Sequence, residues 1–154
     1  MVRRRERGLS LIELMVVMTI LMILALLTVP LGGGWVRNTH LNHAHDVLME
    51  GYATARVLAL RNTANVSGKA VAATLRVNGT SLSVGHPDPD DGTKVVTLWS
   101  GQVEADTTVT LGDAASCAVP NTVDLTANGL PTDLGCLNYT LTIKGGPSES
   151  GTLQ

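Results

Sequence analysis

The sequence contains no phenylalanine, and its aromatic residues are only Trp35, Trp99, Tyr52 and Tyr139. That scarcity leaves no interleaved platform on which nucleotide bases could stack, and it forces the core onto Val, Leu, Ile and Ala. Its two cysteines, Cys117 and Cys136, lack the CxxC spacing of zinc and thiol-redox sites. P-loop, dinucleotide-fingerprint, nucleophile-elbow and metal-ligand patterns are also missing, which argues against an enzyme and implies neither a cofactor nor a metal. What is there is a chain of 154 residues, 44% hydrophobic at net charge −2, enough for one modest folded domain.

The charge is unevenly distributed. Arg3, Arg4, Arg5 and Arg7 against Glu6 give the first eight residues +3, which leaves −5 for the rest of a chain at −2. Residues 14–31 then form 18 consecutive positions without a charge, within the ~17–25 that a membrane-spanning helix needs. Cationic flanks stay cytoplasmic, so everything after Leu31 is expected on the far side of the membrane. A removable secretory signal would end in small residues of A-x-A type. This run ends instead in Leu27-Thr28-Val29-Pro30-Leu31. A plain anchor leaves Glu13 unexplained, because an acid inside a spanning helix costs roughly 2.5–3.5 kcal/mol at full depth and less near the interface.

The surroundings of Glu13 supply a reason. Arg7-Gly8-Leu9-Ser10-Leu11-Ile12-Glu13-Leu14 resembles the prepilin peptidase site of type IV pilins and type II secretion pseudopilins. The resemblance implies a basic leader cleaved after Gly8, a mature N-terminus at Leu9 that becomes N-methylated, and Glu13 as the glutamate at the fifth mature position. Leu9 stands where the family usually has Phe, and Pro30 falls where these anchors commonly carry a helix-kinking proline. It further implies that Glu13 meets the Leu9 amine of a neighbouring subunit during assembly. An ammonium and a carboxylate brought together in low dielectric compensate each other where either alone would be costly.

After Pro30, Gly32-Gly33-Gly34 predicts a kink or melted turn, each Gly costing about 1 kcal/mol against Ala in a helix. Helical periodicity then resumes. Leu41, Ala44, Leu48, Tyr52, Ala55 and Ala59 recur at three- and four-residue steps, widened by Val47 and Leu58, with Asn42, Asp46, Glu50 and Arg56 off the stripe. His40 and His43 share a face and Asp46 lies three residues beyond, but no matching ligand set stands elsewhere, so these histidines read as a solvated or intersubunit polar face. The helix end, with Ala55, Arg56, Ala59 and Arg61 in order before a strand, resembles the GspH/FimT branch of minor pilins (FimU-like).

From Asn65 onward short β-rich runs alternate with turn residues. Strands are predicted at 70–77, 80–84, 94–99, 107–111, 122–126 and 139–143, with a hairpin at Asn78-Gly79 and turns at Asn128-Gly129 and Gly145-Gly146. Cys117 and Cys136 are an even pair that an oxidising compartment would join, closing a loop of about 20 residues for roughly 3 kcal/mol. The segment from His86 to Gly92 is acidic, yet Asp88, Asp90 and Asp91 lack a full calcium-loop pattern and read as a turn.

The expected organisation is a leader at 1–8, a transmembrane helix at 9–31, an amphipathic helix at 32–64 and a β-rich head at 65–154. The fold class is α+β, a long N-terminal helix packed on antiparallel sheet, as the pilin resemblance implies. Function is then structural: a minor pilin or pseudopilin in the bacterial inner membrane with its head in the periplasm, which initiates or caps a fibre. Other pilins and the prepilin peptidase are the implied partners. An alternative within this architecture is DNA binding for natural transformation. Beyond the anchor the chain has seven basic against eleven acidic residues, and the arginine-rich C-terminal stretch of DNA-binding relatives is missing, which argues against nucleic acid.

Overall fold

A computed structural model describes residues 10–91, 94–113 and 115–154, with the side chains of 27–33 also outside the description. Gly8 and Leu9 therefore lie outside the described residues. The elements run α1 (Leu11–Arg61), β1 (Val71–Asn78), β2 (Ser81–Pro87), β3 (Val95–Gln102), β4 (Thr107–Leu111), β5 (Thr122–Thr126), a short 3-10 turn at Leu134–Leu137, β6 (Asn138–Ile143) and β7 (Ser148–Thr152). Two compact units divide within α1, Met1–Val36 and Arg37–Gln154.

In the first unit, the large apolar side chains between Leu11 and Leu26 are each at least 50% exposed, so this stretch has no core of its own. Among the described residues no helix is long and apolar enough to cross a membrane. The expected span, 9–31, includes Leu9 and the side chains of 27–31, which lie outside the description, and the described apolar run stops at Leu26. Helix continues unbroken through Pro30 and Gly32-Gly33-Gly34, so the expected melted turn is absent.

The second unit holds every buried hydrophobic side chain among the described residues, beginning at Leu41. Leu41, Ala44, Leu48, Tyr52, Ala55 and Ala59 are all buried, Leu58 with them, while Asn42, Asp46, Glu50 and Arg56 are exposed, as the periodicity predicts. The helix ends at Arg61, three residues before the expected boundary. Asn62 takes a left-handed backbone (φ 47°), donates from Nδ2 to the Val66 carbonyl (2.8 Å) and accepts the Val66 N–H on Oδ1 (2.9 Å). A short amide side chain tolerates that region and supplies the helix cap locally.

Two antiparallel sheets follow, one ordered β3-β2-β1-β5 and the other β4-β6-β7. The β1–β2 hairpin pairs Asn78 with Ser81, so the loop is Gly79-Thr80, one residue on from the expected Asn78-Gly79, and Gly79 takes the positive φ (63°). Asn121 joins the two sheets. Its N–H bonds the Leu111 carbonyl of β4 (2.8 Å), its Oδ1 accepts the Leu111 N–H (3.0 Å), and its carbonyl accepts the Val77 N–H of β1 (2.9 Å).

β7 is a strand beyond the six that alternation predicts. Its residues Ser148–Thr152 carry no apolar alternation, but they pair with all but the last of β6 and lead Leu153 into the core at 1% exposure. Lower on α1, Arg37 approaches Gly146 of the β6–β7 turn and His45 meets Tyr139 of β6 edge-on, ring centroids 6.0 Å apart. Higher up, Gly51 and Gly101 clear the slot for the Trp99 indole; a Cβ on Gly51 would lie 3.0 Å from that ring. Thus α1 crosses from one sheet to the other along the head.

Candidate functional site

Glu13 lies in the first turn of α1, three residues after Ser10. The Ser10 hydroxyl and carbonyl both accept the Glu13 N–H (3.2 and 3.1 Å), and the same carbonyl accepts Leu14 N–H (3.2 Å). This is the Ser-x-x-Glu pattern of a helix N-cap, and a carboxylate in the first turn is favoured by the helix dipole. Glu13 therefore has a local role, which the Ser10–Glu13 spacing could have signalled, and its exposed side chain stays available to another group.

The histidines of α1 are not solely a solvated or intersubunit face. His40 Nδ1 lies 3.1 Å from Asp106 Oδ1, and His43 Nδ1 lies 3.0 Å from Glu104 Oε1, so both pair within the chain with the connection between β3 and β4. Two contacts of this exposure add little stability, about 0–1 kcal/mol each. They fix the connection to the helix and leave each imidazole with its own carboxylate partner. His86 is buried, its Nδ1 2.7 Å from the Pro87 carbonyl oxygen.

Cys117 and Cys136 form the expected disulfide, Cα atoms 4.7 Å apart and 19 residues apart in sequence. Asp133 holds both sides of the loop, accepting Ala118 N–H (3.0 Å) and Gly135 N–H (2.9 Å). Asp113 accepts the Ser116 hydroxyl (2.9 Å) and N–H (2.7 Å) and the Ala115 N–H (2.9 Å). The Ser116 hydroxyl bond first, then the two N–H bonds, hold its carboxyl below the ordinary 3.8. Among the described residues, the one grouping with metal-ligand proximity is Cys117, Asp133 and Cys136, whose sulfurs are bonded to each other.

In the acidic turn Asp88 accepts Asp90 N–H (3.0 Å) and Asp91 pairs with Lys94 (3.1 Å), a turn closed by its own side chains. Tyr139 is raised above its usual 10.0, by burial first and the Glu149 carboxylate second. On the outer side of α1 an open groove of 430 Å³ is lined by Glu50, Ala53, Thr54, Val57, Leu58, Arg61, Leu98 and Trp99. The sequence reading missed it, because it depends on how β3 is placed beside the helix.

Comparison with known families gives one match, the prokaryotic N-terminal methylation motif, over residues 3–29. No curated protein and no solved structure matches the chain. Gly8, Leu9 and Glu13 fall inside the matched segment. The motif and the α+β fold support a type IV pilin-like protein, and a motif of this kind implies assembly with other pilins and processing by prepilin peptidase.

Proposed function

We propose that the chain is a minor pilin or pseudopilin of the GspH/FimT kind, which initiates or caps a type IV pilus or type II secretion pseudopilus. The observation that carries this reading is the methylation motif at 3–29 leading into a helix that packs its stripe on a β head. Residues 1–8 are the leader, cut between Gly8 and Leu9, and the Leu9 amine is methylated. Residues 9–31 anchor the chain in the inner membrane with the head in the periplasm, the compartment that suits the disulfide. Glu13 meets the Leu9 amine of a neighbour, two opposite charges that low dielectric makes mutually necessary. β7 carries Glu149 and no cation, which counts against phosphate binding along that strand.

The test is the mass of the mature N-terminus. Membrane-extracted protein starts at Leu9 with one added methyl group, and Gly8→Ala leaves the longer precursor. A mature wild-type chain beginning at Met1 would overturn the proposal.

A further inference from the structure

The two tryptophans are housed differently. The Trp99 ring is partly buried in the slot that Gly51 and Gly101 leave open, and its Nε1 donates to Glu50 Oε1 (3.2 Å). Trp35 is 76% exposed. An indole has a large apolar body with one N–H at its edge, so water leaves the body uncovered and hydrocarbon leaves the N–H unsatisfied. A boundary between the two satisfies both.

The chain sets Trp35 at such a boundary. Before it come the uncharged run of residues 14–31 and Gly32-Gly33-Gly34; after it, Arg37, Asn38 and Thr39 are polar and exposed, and the buried core starts only at Leu41. Trp35 therefore follows the last residues suited to hydrocarbon and precedes the first that the head buries. Because α1 is unbroken from Leu11 through the glycines, 22 residues at 1.5 Å each place Trp35 about 33 Å along the axis from Glu13. At a tilt of about 20°, the average for spanning helices, this is about 31 Å along the bilayer normal, against about 30 Å of hydrocarbon. With Glu13 at one edge, Trp35 falls at the other. Each Cα–Cβ bond of a helix also tilts toward the N-terminus, which leans the indole back toward the apolar run. A Cβ on Gly34 would meet nothing within 4 Å, so the helix is bare on that side.

We infer that the Trp35 indole lies in the phospholipid headgroup layer on the periplasmic side of the membrane, its ring against the upper acyl chains and its N–H toward ester and phosphate oxygens. The inference rests on the anchor reading above, in which residues 9–31 span the bilayer with Glu13 at the cytoplasmic edge. Tryptophan concentrates at membrane interfaces because that layer alone is apolar on one side and wet on the other.

The experiment uses the full chain with Trp99→Phe, so that Trp35 is the sole tryptophan, reconstituted in phosphatidylcholine vesicles and checked by circular dichroism. A fraction of the lipid carries a nitroxide quencher either at the headgroup or near the end of the acyl chain. The headgroup label should quench Trp35 fluorescence at least about twofold more than the acyl-end label, and aqueous iodide should reach it less than in the urea-unfolded chain. A second reporter, Met22→Trp with Trp35→Phe and Trp99→Phe, stands about 13.5 Å from Glu13 along the axis, near mid-bilayer, and should reverse the order of the two lipid labels. Stronger quenching of Trp35 from the acyl-end label, iodide access as free as in the unfolded chain, or shielding from both lipid labels and iodide overturns the inference; the indole is then in hydrocarbon, in water or against protein. If Trp35 behaves in one of these ways while the acyl-end label reaches the Met22→Trp reporter, the anchor reading stands and this inference alone fails. If neither lipid label reaches either reporter, both fall.

Discussion

Asn62 and Asn121 hold the left-handed backbone region, at φ 47° and 61°, and each bonds its own side chain back to main chain, Asn62 to Val66 and Asn121 to Leu111. The first turns the chain out of α1 and the second joins the sheets, so both substitute a local hydrogen bond for a conformational penalty. Asn62→Ala loses both Val66 bonds and places a Cβ residue at positive φ, for an expected loss of about 1–3 kcal/mol. Asn62→Gly keeps the conformation and should lose less; urea denaturation of the two variants separates the contributions. Asp113 sets a pH dependence of known sign. Its folded carboxyl lies below the ordinary 3.8, so its contribution is fully present above that value and is lost as pH falls through the lower folded one. Acid denaturation of Asp113→Asn should therefore differ from wild type below about pH 4 and run parallel to it from pH 5 to 7, read by circular dichroism.

Elements with strong periodicity were legible in the sequence, and those held by their neighbours were not. The α1 stripe from Leu41 to Ala59 follows a 3.6-residue period, and β4 and β5 occupy the ranges that alternation predicts, Thr107–Leu111 and Thr122–Thr126. β7 has no such signal because Ser148, Glu149, Ser150, Gly151 and Thr152 owe their conformation to pairing with β6. The groove was equally hidden, since the skipping of Leu98 in the β2–β3 pairing leaves no mark in a single sequence. At the N-terminus the motif is plain, and the Ser10 cap beneath it is carried by the same residues through the Ser10–Glu13 spacing. Disulfide loss acts at this scale. Reduction, or Cys117→Ser with Cys136→Ser, frees the loop between β4 and β6 and should cost about 3 kcal/mol, measured as the shift in urea unfolding with and without dithiothreitol.

The whole molecule divides between a helical segment without a core and a head that contains all of the burial among the described residues. A chain beginning at Arg37 should accordingly fold alone and unfold in one cooperative transition, because Asn121 ties both sheets together and α1 lies across them. Two separate transitions in calorimetry would show instead that the sheets are independent. The position of Leu153 adds a consequence in time. A core residue that follows the last described strand is made after the other core residues, and at about 5–20 residues per second the ribosome needs about 5–18 seconds to pass from Arg61 to Leu153. The apolar N-terminal segment is exposed throughout that interval while the head cannot yet close. Until β7 and Leu153 are made, neither the partner strand of β6 nor the last of these core side chains is in place, so the head cannot complete its core before that point.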